Sequence, residues 1–272
     1  MMLPLVALIT LSGYGQQTST TWLNFQIQKY IDWKTLDDLT ESVRKDFKLP
    51  GLCLAYTNLG DKTEASVNGL RNMQNTTMPI EDDDRLLVGS IGKSMTAMVI
   101  AKLIEMKKFG WKSTLADVLP GIDMQDAYKK VTIEQLLQHK AGLPQVNVMS
   151  QPELAKLFDK VDSPTKLREA YIKAALSHEP VESRPEMTDT DFVVAGTVAE
   201  RFIHQSFEYL VDRYVFTPLK MSTAMIAPLG SDGQVGSNGS VMPHIQADFG
   251  YSAYAMPMSK MDYIMAPAGA MM

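Results

Sequence analysis

The sequence has few of the residues that build disulfide frameworks and metal centres. It contains one cysteine, Cys53, so no internal disulfide can form, and its four histidines stand at no metal-ligand spacing. Cys53 lies in the apolar run 52–56, which predicts a strand in which the thiol packs as a small hydrophobic group. We therefore expect no metal, no cofactor and no catalytic role for Cys53.

The chain also lacks a net positive charge and any cluster of basic residues. The formal net charge is −5 over 272 residues, and no basic stripe or run occurs. This balance argues against nucleic acid or an anionic membrane as the main partner. With 45% hydrophobic and 21% charged residues, the composition is ordinary for a soluble globular protein of one large or two modest domains. It leaves the oligomeric state open.

Long apolar runs are missing after the first residues. Residues 1–11 are apolar and precede small residues and a polar run at 16–21, which predicts a signal peptide over residues 1–15 with cleavage near Gly15. The first basic residue is Lys29, so the usual positive start is lacking. We expect an exported protein, either periplasmic or secreted. The alternative is a cytoplasmic protein. No other segment is long and apolar enough to span a bilayer.

The most informative motif is a serine three residues before a lysine, Ser90 and Lys93. If a helix runs through them, both side chains lie on one face. A hydroxyl needs a base beside it, and a lysine in a partly apolar helix start can lose its proton and act as that base. The nearly all-apolar stretch 95–106 predicts a buried helix. We infer a serine hydrolase or transferase, with Ser90 and Lys93 as catalytic residues.

The same residues allow two other interpretations. The spacing by itself is short and also occurs on surface helices. Gly92-Lys93-Ser94 resembles the end of a phosphate-binding loop, but that loop needs a glycine five residues before Gly92. Leu87 occupies this position, and its side chain would block the anion cradle.

The hydrophobic pattern predicts a sheet followed by a block of helices, and hence an α/β (α+β) fold. The expected strands are 52–59 and 62–70, joined by a turn at 60–61, and residues 71–84 read as irregular. Helices are expected at 33–49, from Ser90 to 110, from the capping box at 132–135 to 140, and at 163–176, 192–204 and 207–216. No confident strands are expected in 231–272.

Several sequence blocks occur in the order of a known family. They are PGL at 50–52, GLR at 69–71, VGSIGKSMTA at 88–97, Trp111 with LP at 119–120, VTIEQLLQHKAGLP at 131–144, FVVAG at 192–196 with Glu200, and FTPLKM at 216–221. From Leu49 to Met272 the chain resembles the class C β-lactamase-related serine hydrolases, which include penicillin-binding proteins, D,D-peptidases and esterases.

The resemblance implies a β-lactamase/transpeptidase-like fold, with an antiparallel sheet and a helical subdomain at about 111–230 inside a domain spanning 16–272. It implies that Ser90 attacks an amide, lactam or ester carbonyl and forms an acyl-enzyme that water cleaves. Lys93 would help to deprotonate Ser90, and the Ser90 N–H would form half of an oxyanion hole. The expected partner is a small-molecule, peptide or ester substrate.

Two departures from the family pattern stand out. The second family motif, Tyr-x-Asn, is Met187-Thr188-Asp189 here. Methionine cannot carry a proton, whereas Asp189 would accept a hydrogen bond from Lys93 and hold it protonated. The third motif, Lys or His-x-Gly, would follow Pro267-Ala268-Gly269, so we expect it to be missing from this chain together with the remaining strands, the second oxyanion N–H and a closing helix.

The remaining candidates receive structural interpretations. Lys140-Ala141-Gly142 copies the third motif in letters only and reads as a helix stop, and 231–233 reads as a turn. His139 is expected to hydrogen-bond the loop between its helix and Gly142 and not to act as a base. His178, His204 and His244 stand in no partner pattern.

The sequence therefore leaves several functions open. One is a serine hydrolase that uses Ser90 and Lys93. Another is a non-catalytic relative, a binding or scaffold protein or a truncated gene product, that retains part of the fold. In a third, a separate polypeptide supplies the missing strands.

Overall fold

A computed structural model describes residues 34–57, 63–72, 75–145, 148–181, 188–226, 244–247, 250–253 and 260–269. By its internal contacts the chain divides into two compact units, residues 1–86 with 229–257 and residues 87–228 with 258–272. The proposed signal peptide and the turns at 60–61 and 231–233 lie outside the described residues. The signal peptide and the domain limits stay predictions.

Within the described residues, the first unit contains one helix and two small antiparallel sheets. Strand β1 pairs with β2 from Gly51 opposite Gly69 to Tyr56 opposite Glu64, and β2 pairs in turn with β3. Strands β4 and β5 form a separate pair. The elements are α1 (Leu36–Asp46), β1 (Gly51–Tyr56), β2 (Glu64–Asn72), β3 (Asn75–Pro79), β4 (His244–Ala247) and β5 (Gly250–Ala253).

Helix α1 confirms the helix predicted at 33–49 and shows why it forms there. The Thr35 hydroxyl accepts a hydrogen bond from the Asp38 N–H at 3.0 Å, which caps the first turn. The Asp37 carboxylate accepts hydrogen bonds from Ser66 at 2.8 Å and Asn68 at 2.9 Å, so that side-chain bonds attach α1 to β2.

Two predictions about strands were wrong. Residues 71–84, predicted as irregular, contain β3, and the stretch 231–272, where no strands were expected, contains β4 and β5. Each of these short strands pairs through its backbone along a neighbouring strand, and backbone pairing does not require an apolar alternation in the sequence. Cys53 lies in β1 as predicted, but it is only half-buried.

The second unit is helical. Its core is formed by apolar side chains of both its long and its short helices, and α8 is buried along most of its length. In chain order the helices are α2 (Gly92–Glu105), α3 (Leu115–Val118), α4 (Asp126–Lys129), α5 (Ile133–Leu137), α6 (Gln151–Lys160), α7 (Pro164–Ser177), α8 (Asp189–Ile203), α9 (Phe207–Val211) and α10 (Lys260–Met265). A π turn (Asp212–Phe216) continues α9, and a 3₁₀ turn (Ala266–Ala268) follows α10.

Most helices of this unit were predicted, and the differences have local causes. Helix α5 begins at the predicted capping box, in which Thr132 and Gln135 bond to each other's backbone. Helix α2 ends at Glu105 and not at residue 110, and it is buried on one face only, since Met98 is 43% and Met106 41% exposed. Helices α3, α4, α6 and α10 were missed.

A buried ion network joins four of these helices. The Arg168 guanidinium, on α7, lies 2.6 Å from the Glu200 carboxylate of α8 and 2.9 Å from that of Glu208 on α9. It also donates a hydrogen bond to the Tyr263 carbonyl of α10. Arg168 and Glu200 have fully buried side chains, so each charge depends on the other for compensation.

Candidate active site

Ser90 and Lys93 lie at the start of α2, but not in one continuous α-helix as predicted. Ser90 belongs to a 3₁₀ turn (Gly89–Ile91) that leads directly into α2, where Lys93 stands in the first turn. The helical backbone is continuous across this junction, and residues three apart on a helical segment lie on one face. As a result, Nζ of Lys93 lies 3.1 Å from Oγ of Ser90, with Ser90 exposed and Lys93 only 8% exposed.

The Lys93 ammonium has three hydrogen-bond partners. It donates to Ser90 Oγ at 3.1 Å, to Asp189 Oδ1 at 2.5 Å and to the Ala268 carbonyl at 2.9 Å. An ammonium carries three N–H donors, so all of them are in use. The predicted hydrogen bond from Lys93 to Asp189 is confirmed. Nζ also lies 5.8 Å from the ring centroid of Phe192, which adds a cation–π contact.

The segment 266–269 packs directly against the Ser90 turn. The Thr96 hydroxyl of α2 donates to the Pro267 carbonyl at 2.6 Å. Gly269 has φ 147°, and a Cβ added there would lie 2.3 Å from the Gly89 oxygen and 2.9 Å from the Ser90 nitrogen. Only glycine fits this approach. This contact was not predicted from the sequence. The run of small residues at Pro267-Ala268-Gly269 was a usable signal, because small residues allow two backbones to approach closely.

The start of α8 carries the residues of the second motif. Thr188 caps the helix by accepting the Asp191 N–H at 3.2 Å, and the Asp189 N–H donates to Oε1 of Gln145 at 2.7 Å. The Thr190 hydroxyl donates to the Pro144 carbonyl at 2.7 Å. The loop after α5 therefore holds the segment that presents Asp189 to Lys93. Met187 lies outside the described residues.

His139 does not hydrogen-bond its own loop, and that prediction was wrong. Its Nδ1 lies 3.0 Å from Oδ2 of Asp191 and accepts the Thr188 N–H at 3.2 Å. The residue ends α5 in the left-handed region, with φ 56°, and this turns the ring away from the loop toward α8. Burial and the nearby Lys93 charge lower the pKa of His139, so the ring is neutral near pH 7.

Asp191 is the residue that sequence reasoning missed altogether. It is 1% exposed, and burial raises its pKa to about 7. Its Oδ1 is buried and has no hydrogen-bond partner among the described residues. A single sequence offers no signal for this environment, because Asp191 reads as an ordinary first-turn acid of a helix.

Outside the Ser90 site, the described residues hold neither a metal cluster nor a membrane-spanning helix. Nε2 of His178 lies 3.0 Å from the Val148 carbonyl, a structural contact that sequence reasoning had not foreseen. In the part of the chain that the structure describes, no cluster of three histidine, cysteine or acidic residues could hold a metal ion. None of the helices described is long and apolar enough to cross a membrane.

Comparison with known families gives a match over most of the chain. The sequence model of the family described as Beta-lactamase matches residues 36–261. Penicillin-binding protein 4 of Amycolatopsis lactamdurans is 25% identical over 195 residues, which are 69% of this chain and 48% of that protein. The chain thus spans about half the length of this curated relative.

Solved structures show the same fold at low identity. The D-amino acid amidase of Ochrobactrum anthropi SV3 is similar with a TM-score of 0.63 and 19% identity, over 92% of this chain and 65% of the amidase. A class C β-lactamase is similar with a TM-score of 0.64 and 16% identity, over 86% of this chain and 59% of the enzyme. The β-lactamase/transpeptidase-like fold expected from the sequence is confirmed.

Proposed function

This chain belongs to the β-lactamase family, and we propose that it is a serine hydrolase that cleaves an amide, lactam or ester bond through an acyl-enzyme on Ser90. The observation that supports this proposal most directly is the 3.1 Å contact between Lys93 Nζ and the exposed Ser90 hydroxyl. A hydroxyl nucleophile with a nitrogen base in hydrogen-bond reach is the minimum arrangement for acyl transfer.

The hydrogen bonds of Lys93 define a proton route. Since its three N–H groups are all donated, Lys93 has no lone pair for the Ser90 proton until it releases a proton of its own. The Asp189 carboxylate, 2.5 Å away, is the acceptor in place. We assign the steps accordingly: Lys93 passes a proton to Asp189 and takes the Ser90 proton as Oγ bonds to the carbonyl carbon.

The same groups complete the cycle. The carbonyl π electrons move to oxygen as the Oγ–C bond forms, and they return when the bond to the leaving group breaks. The leaving group takes the proton from Lys93, and the proton on Asp189 returns to Lys93. A water molecule then gives up a proton to Lys93 by the same route as its oxygen bonds to the acyl carbon. The Oγ–C bond breaks as Lys93 returns a proton to Oγ, which releases the acid and restores the Ser90 hydroxyl, and the proton on Asp189 returns to Lys93.

The Ser90 N–H is the donor that we assign to the developing oxyanion. It lies in the first turn of a helical segment, where backbone N–H groups have no intrahelical acceptor. Gly269 lies against the nitrogen of Ser90 and adds no side chain there. Preorganised donors of this kind contribute on the order of a hundredfold in rate.

The names of the relatives suggest the type of bond that this chain cleaves more clearly than they suggest its substrate. One is named as a penicillin-binding protein and another as a D-amino acid amidase. We propose on this basis a small molecule or peptide with an amide or lactam carbonyl, with esters as the related alternative.

Intact-mass labelling tests the proposal. The purified chain is treated with a fluorophosphonate and, separately, with a penicillin, beside Ser90→Ala and the control Ser94→Ala. Ser94 is exposed and donates only to the Ile91 carbonyl, so its loss should leave labelling intact. We expect a mass shift in the wild type and in Ser94→Ala that disappears in Ser90→Ala.

The second candidate function is a non-catalytic relative of the family. The ion pair of Lys93 with Asp189 favours it, because a lysine held as an ammonium is a poor base. Equal labelling of wild type and Ser90→Ala, or no labelling of a protein that melts cooperatively, would overturn the hydrolase and support this alternative.

A further inference from the structure

A buried carboxyl group lies beside the proposed proton route without taking part in it. Asp191 stands two residues after Asp189 in the first turn of α8, and its side chain is 1% exposed. In the part of the chain that the structure describes, no lysine or arginine pairs with it, and Oδ1 has no hydrogen-bond partner. An ionised carboxylate in these surroundings would be strongly destabilised.

The hydrogen bonds at Nδ1 of His139 decide whether His139 or Asp191 carries the proton between them. The Thr188 backbone N–H, which is always a donor, points at Nδ1 from 3.2 Å, so Nδ1 accepts and the ring proton is on Nε2. Oδ2 of Asp191 lies 3.0 Å from the same nitrogen. Two acceptors at that distance would repel each other, so the proton between them belongs to Asp191, whose O–H shares the single Nδ1 lone pair with the Thr188 N–H in a three-centre hydrogen bond.

We propose that Asp191 is a positioning residue of the proposed active site: as a neutral acid it donates to Nδ1 of His139, and the pair holds the Thr188–Asp189 turn against Lys93. The activity part of this inference rests on the proposed function. The protonation state of Asp191 does not.

The pair is coupled to the Lys93 site through one residue. Thr188 bonds to His139 through its N–H and caps α8 through its hydroxyl, and Asp189 follows it in the chain. If Asp191 ionises, either its carboxylate faces the Nδ1 lone pair, or the proton moves to Nδ1 and faces the Thr188 N–H. Both states push Thr188 away and displace Asp189 from Lys93.

The electrostatic surroundings favour the neutral pair. Burial raises the pKa of Asp191 to about 7, against a smaller lowering by Thr188, while burial and the Lys93 charge lower the pKa of His139. Among the described residues, the charges of Lys93 on α2 and Asp189 on α8 act on His139, and Tyr128 on α4 interacts with Asp191. Two further groups lie one step away: Glu179, after α7, interacts with Tyr128, and Tyr171, on α7, interacts with Asp189.

The first test measures protonation directly and needs no activity. Infrared spectra of the full chain are recorded from pH 5 to pH 9 for wild type, Asp191→Asn and the control Asp126→Asn, whose carboxylate is exposed. We expect a carboxylic-acid C=O band at pH 6 in the wild type. The band should be absent from Asp191→Asn and present in Asp126→Asn. It should disappear above pH 8 as the acid ionises. A wild-type spectrum at pH 6 without a band that depends on Asp191 would overturn the proposal.

The second test measures positioning through the rate at which a fluorophosphonate labels Ser90. Asn cannot ionise, and its amide donates to Nδ1 as the neutral acid does. At pH 8 about a tenth of a group with a pKa of about 7 is neutral, so Asp191→Asn should label about tenfold faster than wild type, and equally fast at pH 5.5. If the ratio of the labelling rates of Asp191→Asn and wild type does not change with pH, the positioning role is overturned.

Together, the two tests distinguish failure of the proposed hydrolase function from failure of the inference about Asp191. If neither protein is labelled at any pH, the proposed hydrolase fails while the infrared titration still decides the state of Asp191. If labelling depends on Ser90 but the infrared band is missing, the hydrolase stands and the inference about Asp191 falls.

Discussion

The ammonium of Lys93 and the carboxylate of Asp189 are joined by a 2.5 Å hydrogen bond at the place where the family pattern has Tyr-x-Asn. The bond gives the site a cation and a carboxylate in direct contact beside the Ser90 hydroxyl. A serine hydrolase can use such a pair to pass a proton, whereas a non-catalytic relative would keep it as a structural ion pair. The same contact therefore underlies both candidate functions.

The role of Asp189 can be tested by replacing it with asparagine. If Asp189 receives the proton that Lys93 must release, Asp189→Asn should slow labelling of Ser90 on the order of a hundredfold, as for loss of a general base. The measurement is the second-order rate with a fluorophosphonate, followed by intact mass. Asp126→Asn, an exposed acid, is the control. Faster labelling of Asp189→Asn would mean that the carboxylate restrains Lys93 instead.

Gly269 should be required for the geometry of the Ser90 turn. In Gly269→Ala the new Cβ would lie 2.3 Å from the Gly89 oxygen, so the turn must move and the Ser90 N–H with it. We expect labelling to be lost and the free energy of unfolding to fall by about 1–3 kcal/mol. Gly121→Ala is the matched control, since Gly121 also has positive φ but has nothing within 4 Å of the added Cβ.

Both glycine variants carry backbone strain of about 1–2 kcal/mol, so stability alone does not distinguish them. The rate of labelling does, because Gly269 lies against Ser90 and Gly121 does not. Equal labelling of the two variants would contradict the assignment of Gly269 to the site.

The buried ion network should dominate the stability of the helical unit. Glu200→Gln removes the charge that compensates Arg168 and should lower the free energy of unfolding by about 3 kcal/mol. Urea unfolding measures it. Glu105→Gln breaks the exposed pair with Lys102 and should cost less than about 1 kcal/mol. A similar loss in both variants would show that Glu208 alone compensates Arg168.

Asp191 should make stability depend on pH in a defined direction. Because burial raises its pKa from 3.8 to about 7, the folded protein keeps a proton that the unfolded chain releases in this range. Stability is therefore highest below pH 4, falls as the pH rises to about 7 and is constant above. The loss corresponds to about 4 kcal/mol.

The measurement for this prediction is the difference in unfolding free energy between wild type and Asp191→Asn from pH 4 to pH 8. Taking the difference removes the contribution of every other titrating group. A difference that does not change with pH would mean that Asp191 titrates normally in the folded protein.

Features that depend on neighbouring residues were predictable. The spacing of Ser90 and Lys93 brings the two side chains together within one helical turn, although Ser90 lies in a 3₁₀ turn and Lys93 in the α-helix that follows it. The capping box at Thr132 and the Pro164 start of α7 also act within a single turn, and both predictions are confirmed. Such signals survive in a single sequence because the interacting groups are at most four residues apart.

The amino-acid sequence by itself thus determined the family and the pairing of Ser90 with Lys93, and its match to the second family motif indicated Asp189 as the acceptor for Lys93. The tertiary structure decided the rest: the Ala268 carbonyl on Lys93, the approach of Gly269 to Ser90 and the pairing of Asp191 with His139. The groups in the first and last of these contacts are 175 and 52 residues apart. Their meeting depends on how whole helices pack, and packing also creates the burial that changes the protonation of Asp191.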